Sequence, residues 1–412
     1  MTRRTDILIV GGGLVGASLA LALRGSPWHM ALAEARPVEP PPAPSEWDVR
    51  MYAISPASRA FLEGLGIWQR LDEERIAPVQ AMRVRGDRRS TLDFSAHDSG
   101  VAALAWIVES GALARALWAA LEHQPRLELL CPAVPQALDA SADDLRVNLS
   151  GGRAIVARLV VGADGARSFV RTAAGIDAEP VPYGQSGVVA NFACEHPHRS
   201  IASQWFRDDG VLAWLPLPGE RISMVWSAPQ AHAEELLALP DEALCARVAA
   251  AGGHALGDLR LITRPAAFPL AMLKARSLIS QRVALIGDAA HVVHPLAGQG
   301  VNLGFGDAQA LADVLGEAAN ARRDADPGAR LLLRCYERKR AEHILAMRWT
   351  TDGLARLFAS RAPGAQAVRN LGMNVVDRLP LLKNLLVSQA IAGGLPSQAA
   401  AQRGWRASGL KR

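Results

Sequence analysis

Near its start the chain carries its apolar residues in short continuous runs rather than in alternation. Asp6-Ile-Leu-Ile-Val10 is apolar and β-branched and ends in glycines, which predicts a buried parallel strand. Leu14 to Leu23 is rich in Ala and Leu and predicts a helix, and His29 to Glu34 predicts the next strand, so the chain opens as a βαβ unit. Pro37 to Pro44 is too proline-rich for a helix and reads as a loop. Ser110 to Leu121 places Leu113, Leu117 and Leu121 on one helical face, and Leu159 to Ala163 and Val283 to Ile286 read as further buried strands. The pattern between those strands is different. Val211 to Leu217, the turn Pro218-Gly219-Glu220 and Ile222 to Ser227 predict a hairpin, and with it a second, antiparallel-sheet domain over about Tyr183 to Pro269. After Asn302 the chain is rich in Ala, Leu and Arg and reads as helical almost to its end. There Leu371, Val375, Leu379, Leu382 and Leu386 share one helical face, with Pro380 as a kink point.

Composition narrows the class. Half of the 412 residues are apolar and 21% are charged, which is globular rather than disordered. The formal net charge is +5, but it is not evenly spread. From Arg361 onward eight basic residues face the single acid Asp377, and the preceding part is about neutral. A nucleic-acid-binding surface is therefore not expected. The basic amphipathic end suits a membrane surface, a partner protein, or simple packing with a frayed terminus. Cys131, Cys194, Cys245 and Cys335 are scattered without a CxxC pair, so neither a disulfide framework nor a cysteine zinc site is expected, and a reduced cytoplasm is. Arg3 and Arg4 before the uncharged run Ile7 to Leu23, with Ala31-Leu32-Ala33 beyond, have the look of a signal peptide. The glycines inside that run have a mechanical reason of their own, and secretion is not expected.

That reason is Gly11-x-Gly13-x-x-Gly16, placed after a strand and opening a helix. The first glycine permits a tight turn, the second lets backbone approach a pyrophosphate, and the third lets the helix pack on the strand. The helix N-terminus offers unpaired N–H groups to the phosphates. Glu34, at the end of the second strand, is placed to accept from a ribose hydroxyl. Together these point to a dinucleotide without separating FAD from NAD. A second motif, Val160-Val-Gly162-Ala-Asp164-Gly165-Ala-Arg167-Ser168-x-Val170-Arg171, is a strand delivering an Asp-Gly turn, which by itself is an ordinary turn. The third is Gly287-Asp288-Ala-Ala-His291-Val-Val-His294-Pro-Leu-Ala-Gly298-Gln299-Gly300-Val301-Asn302-Leu-Gly304-x-x-Asp307. Here a strand ends in an aspartate able to hold a ribose or ribityl hydroxyl. A glycine-rich loop then enters a helix near Val301, whose start can sit against developing negative charge. His291 and His294 lack a third ligand at metal-binding spacing and read as capping or packing side chains; no metal site is expected. Trp205, Trp214 and Trp226 in the hairpin region read as core before they read as a pocket lining.

Taken together, these motifs resemble the class A FAD-dependent monooxygenases. Within that class His294 to Asp307 resembles the signature of the ubiquinone-biosynthesis hydroxylases (the UbiH/UbiF group). Trp47-Asp48-Val-Arg50-x-x-Ala53-Ile-Ser55 with Leu62-x-x-Leu65-Gly66-Ile-Trp68 is similar to that group's second conserved stretch. The resemblance covers about residues 5 to 350. It implies an α/β chain like para-hydroxybenzoate hydroxylase: a Rossmann-like FAD-binding domain (1–75, 100–182 and 270–330), an antiparallel-sheet substrate domain (76–99 and 183–269) and a C-terminal helical region with a basic tail (331–412). It implies FAD with NADPH or NADH as co-substrate, and ring hydroxylation of a polyprenylated phenol by O₂ through a flavin C4a-hydroperoxide. FAD would be held by Gly11, Gly13, Gly16, Glu34, Arg50, Asp164, Asp288, Gly300, Val301 and Asn302. The catalytic candidates it implies are Arg50, near the flavin and the nicotinamide entry, and Gly298, Gln299 and Gly300, against the charge of the reduced flavin. With a single βαβ fingerprint, the nicotinamide would visit transiently, docked by Asp164, Arg167 and Arg171. Two positions depart from the family pattern: Ser110 stands where an asparagine is usual and removes a polar flavin contact, and Gly306 replaces a bulkier residue and changes packing. A flavin epoxidase or reductase acting on an isoprenoid, or a non-catalytic flavoprotein scaffold, are the competing readings. The expected location is cytoplasmic, peripheral on the inner membrane face through the tail.

Overall fold

The computed structural model describes residues 2–86, 91–293, 300–322 and 324–359, with side chains up to residue 345; all counts below refer to these. The opening unit forms as the pattern predicts. The first strand, Thr2–Val10, is followed by the helix Leu14–Ala22 and the strand Met30–Ala33. Ile7, Leu8 and Ile9 are wholly buried, because this strand is covered on both faces. It runs parallel to Arg153–Gly162 on one side and to Met30–Ala33 on the other. Val283–Leu285 and Leu127–Leu130 extend the parallel core outward, within an eight-stranded sheet completed by antiparallel additions.

A nine-stranded sheet forms the second layer, and its long strands Ala178–Cys194, Ile201–Arg207, Gly210–Leu217 and Arg221–Pro229 are antiparallel. Two features differ from expectation. Ile201–Arg207 pairs in parallel with Ala81–Arg85, so the sheet is not wholly antiparallel. The helices Gln230–Ala238 and Asp241–Ala251 then cover its outer face, where a sheet alone was expected. Trp214 and Trp226 are 2% and 0% exposed under that cover, which places them in the core. A third, three-stranded sheet of Met51–Ile54, Ala105–Glu109 and Ala77–Val79 had no counterpart in the sequence reading.

The helix Gly300–Ala321 crosses the first helix, and Arg330–Ala359 packs behind it. The phenolic O–H of Tyr336 donates to the Leu285 carbonyl at 2.8 Å and ties this last helix to the end of a core strand. No helix among the described residues is long and apolar enough to cross a membrane. The amphipathic segment from Leu371 to Leu386 and the basic residues around it lie outside the described residues.

Candidate active site

One cavity of about 690 Å³ lies where the three sheets meet. The glycine turn forms its first edge. Gly11 has a φ of +105°, and a Cβ there would stand 2.3 Å from the Ala163 carbonyl oxygen. Only glycine lets the chain leave the first strand against its neighbour in this way. Gly13 is different: a Cβ there would meet nothing within 4 Å, and the residue lines the cavity. The fold therefore does not need a glycine at position 13, whereas an approaching pyrophosphate does. Gly16 faces inward, where a Cβ would stand 2.0 Å from the Gly11 carbonyl. The turn is braced by Glu34, which accepts from the Gly12 N–H at 2.6 Å and the Arg36 N–H at 3.0 Å, and by Trp118, whose indole N–H donates to the Gly12 carbonyl.

The second edge is the short strand Met51–Ile54 and the residues before it. The Asp48 carboxylate accepts from the Arg50 and Gly111 N–H groups at 2.9 and 2.8 Å, which fixes the entry to the strand and caps the helix Ser110–Leu121. The Arg50 guanidinium projects into the cavity without an ion pair among the described residues, 5.1 Å from the Tyr52 ring centre and 5.8 Å from that of Phe268. Burial raises the Tyr52 phenol, against the lowering influence of Arg50 and of a hydrogen bond with Ser110. Ser110, the residue that departs from the family pattern, lies beside Tyr52 and is not part of the cavity lining.

The floor comes from the third motif. Asp288 reaches into the cavity, open to its solvent but packed around by protein. That enclosure raises its pKa, while His291 and Arg50 pull it down and Asp307 pushes it up. Gly300, Val301 and Asn302 line the cavity at the start of the helix Gly300–Ala321. The side chain of Asn302 is 1% exposed; it accepts from the Ser55 N–H at 3.0 Å and donates to the Ala53 carbonyl at 2.8 Å. It staples the floor to the second edge. Gly298 and Gln299, with His294, lie outside the described residues.

Of the residues predicted for this site, Gly13, Arg50, Asp288, Gly300, Val301 and Asn302 converge on the cavity. Gly11, Gly16 and Glu34 stand behind it and shape the turn. Asp164 is not among its lining: the carboxylate accepts from the Ser168 hydroxyl at 2.5 Å and the Val170 N–H at 3.1 Å, closing the Asp-Gly turn on itself. The expectation that Arg171 docks a nicotinamide is corrected. Its guanidinium is 8% exposed and donates to the Ala289 and Ala166 carbonyls, so it clamps two segments together. Arg167 is exposed. Cys194 is no nucleophile, since burial pushes its thiol up to about 12. His291 Nε2 donates at 2.7 Å to the buried Asp307 carboxylate, a contact within the protein packing, and no metal-binding group of His, Cys, Asp and Glu occurs among the described residues. Tyr52 and Phe268 were missed. Tyr52 stands two residues after Arg50 on an extended segment, a spacing that puts both side chains on one face.

Similar proteins decide the family. The FAD binding domain family matches residues 4–349. The chain is 37% identical to the ubiquinone hydroxylase UbiL of Rhodospirillum rubrum over 94% of its length and 89% of that protein's. It is 36% identical to the 3-demethoxyubiquinol 3-hydroxylase of Escherichia coli, covering 94% and 98% of the two chains. The chain belongs to the FAD-dependent monooxygenases, in the ubiquinone-biosynthesis hydroxylase family. The crystal structure of PqsL, a probable FAD-dependent monooxygenase from Pseudomonas aeruginosa, superposes with a TM-score of 0.74 at 25% identity, covering 90% of this chain and all of that one. The p-nitrophenol 4-monooxygenase PnpA of Pseudomonas putida, at 16% identity and a TM-score of 0.76 over 96% and 100% of the chains, shares the fold. The monooxygenase uses FAD with NAD(P)H as co-substrate and O₂. The turn fits that cofactor: Gly13 leaves open space where phosphates must approach, and the helix beyond it presents unpaired N–H groups.

Proposed function

We propose that this monooxygenase hydroxylates the ring of a polyprenylated phenol in ubiquinone biosynthesis. The observation that carries this reading is the continuity of the cavity. One end is the glycine turn and the Asp288 floor; the other is a largely apolar wall of the nine-stranded sheet, including Val189, Ala213, Leu215, Val225 and Leu270. A ring with an apolar tail fits such a wall, and the tail's burial supplies binding free energy of about 0.8 kcal/mol per CH₂.

Bound FAD supplies the redox chemistry, taking electrons from NAD(P)H and activating O₂. The chain's residues do the rest. Gly13 would admit the pyrophosphate, on the turn that Gly11, Gly16 and Glu34 shape; Asp288 would hold a sugar-chain hydroxyl, and Glu34 another from behind that turn. The N–H groups of Gly300, Val301 and Asn302 begin a helix of 22 residues and lack partners within it, so with Gly298 and Gln299 they hold negative charge at the ring system. Arg50, flanked by two aromatic rings and without an ion pair among the described residues, offers a cation to the incoming nicotinamide dinucleotide. The apolar wall keeps water from the reacting ring. In this reading 1–75, 100–182 and 270–330 carry the cofactor, 76–99 and 183–269 carry the ring, and 331–412 is the C-terminal region, helical as far as Ala359 where it is described. Its basic end contacts the inner membrane face or an assembly partner, with the enzyme body in the cytoplasm.

Lipid extraction from a strain lacking the gene tests the proposal directly. A ring-prenylated intermediate missing one hydroxyl is expected to accumulate, and ¹⁸O₂ supplied to the purified enzyme is expected to appear in the product. An unchanged lipid profile, or a product free of ¹⁸O, overturns it; the latter outcome is that of a reductase.

A further inference from the structure

The register of the nine-stranded sheet brings Gln204, Ala213, Val225 and Val189 into one cross-strand row, because Gln204 pairs with Ala213, Ala213 with Val225 and Val225 with Val189. All four side chains line the cavity. The neighbouring row, Trp205, Leu212, Trp226 and Val188, faces the opposite way, into the core beneath the helices. Gln204 is thus a primary amide set in an aliphatic row. It is 5% exposed, and no hydrogen bond engages its side chain among the described residues. Met82 and Phe94 from the adjoining strands add apolar surface to the same wall.

A buried amide costs free energy unless it is hydrogen-bonded, and an aliphatic residue would fit this row without that cost. The cavity is the side on which a partner can arrive. We infer that Gln204 binds the phenolic oxygen of the aromatic substrate, its Oε1 accepting from the ring hydroxyl or its Nε2 donating to the oxygen, and so sets which ring carbon faces the cofactor. The inference rests on the proposed ring substrate and adds the residue that recognises it. An aliphatic wall alone holds a prenyl tail but does not orient a ring; one directional contact does both.

The test uses the FAD-loaded full-length enzyme and two probes, 2-geranylphenol and geranylbenzene, with binding followed through the visible spectrum of the bound flavin. A site built to hydrogen-bond a substrate hydroxyl rejects the analogue lacking it strongly, so the wild-type enzyme is expected to prefer the phenol by roughly 100-fold or more. In Gln204→Met, which keeps the side-chain length and removes the amide, the preference is expected to fall below about fivefold, with geranylbenzene binding as well as before. The hydroxylated product is expected to spread over more than one ring position. Full preference and a single product in Gln204→Met overturn the inference. A wild-type preference under about threefold overturns it without any variant, which covers the case of a variant that fails to retain FAD. If the wild-type enzyme hydroxylates 2-geranylphenol while either of those results holds, the inference alone fails. If it neither binds nor hydroxylates that phenol, the substrate proposal fails with it.

Discussion

Arg340 donates its Nε–H to Asp307 Oδ1 at 2.7 Å, and both side chains are at most 1% exposed. The other carboxylate oxygen takes the Gly287 N–H at 2.8 Å and His291 Nε2 at 2.7 Å. One buried aspartate thereby joins the last helix, the helix that opens at the cavity, and the Gly287-Asp288 turn of the floor. Arg340→Met leaves that charge without its guanidinium and is expected to destabilise the fold by about 3–5 kcal/mol in equilibrium unfolding. Burial alone would raise the Asp307 carboxyl, but His291, Arg340 and the Gly287 N–H outweigh it and hold it below the ordinary range. In the unfolded chain it titrates near ~3.9. A lowered folded pKa stabilises fully above the unfolded value and is lost as pH falls through the folded one. The stability gap between wild type and Asp307→Asn is therefore expected to hold from about pH 5 to 4 and to shrink only below that. A gap that closes before pH 4.5 contradicts the assignment.

Gly13→Val separates cofactor binding from folding. Its backbone lies at φ −64° and its Cβ direction is open, so the apo-protein is expected to melt at the wild-type temperature while purifying without yellow colour. Gly16→Val, driven against the Gly11 carbonyl, is expected to yield little folded protein at all. Normal flavin content in Gly13→Val would remove the pyrophosphate from this turn.

Arg50→Met is expected to retain FAD but to bind NADPH roughly 10–100-fold more weakly, the loss of a contact to a charged group worth about 1.5–3 kcal/mol. Because Arg50 lowers the Asp288 pKa against the raising effect of burial, its removal moves that group further up. Stopped-flow reduction is expected to show an acid limb displaced to higher pH. A profile coincident with wild type would separate Arg50 from Asp288.

Asn302→Leu takes two partners away from the chain at once, the acceptor for the Ser55 N–H and the donor to the Ala53 carbonyl. Unsatisfied buried groups cost about 1–3 kcal/mol each, so a clear loss of stability is expected, together with a rise in the FAD dissociation constant measured by fluorescence. Unchanged FAD affinity in a destabilised protein would confine Asn302 to the fold.

Deleting residues 367–412 removes most of the local excess of basic charge. Near an anionic surface each Lys or Arg contributes about 1 kcal/mol, so the full chain is expected to sediment with phosphatidylserine vesicles at low salt and to release at high salt. The truncated protein, with FAD bound, is expected to stay in the supernatant. Equal sedimentation of both forms would leave the tail without a lipid role.

The sequence reveals elements whose signal is local. Leu14–Ala22 and Ser110–Leu121 follow from apolar spacing within one segment, and the hairpin at Pro218-Gly219-Glu220 follows from its turn. The three-stranded sheet stayed hidden because Met51–Ile54 and Ala105–Glu109 meet across more than fifty residues and neither strand alternates cleanly. In the site, glycines spaced for a turn were readable. Arg340 was not: it lies 33 residues from Asp307 on a helix full of arginines, and only the packing of that helix selects it. An Asp-Gly pair after a strand serves a turn and a cofactor equally well, so the sequence alone did not show that the Asp164 carboxylate closes the turn through Ser168 and Val170. Gln204 is one glutamine in a strand until the register shows which neighbours it faces.

Three central strands of the nine-stranded sheet carry tryptophans on one face and, Gln204 apart, small or aliphatic residues in the row that lines the cavity on the other. The two faces alternate residue by residue, so the sheet behaves as a partition whose two sides can be furnished independently. Exchanging Ala213 or Val189 for another size reshapes the chamber while Trp214 and Val188, one position along, keep the mortar intact. Descendants of this chain can therefore drift toward new guests through the chamber-side positions of each strand, such as Ala213, Val225 and Val189, leaving the masonry behind them untouched.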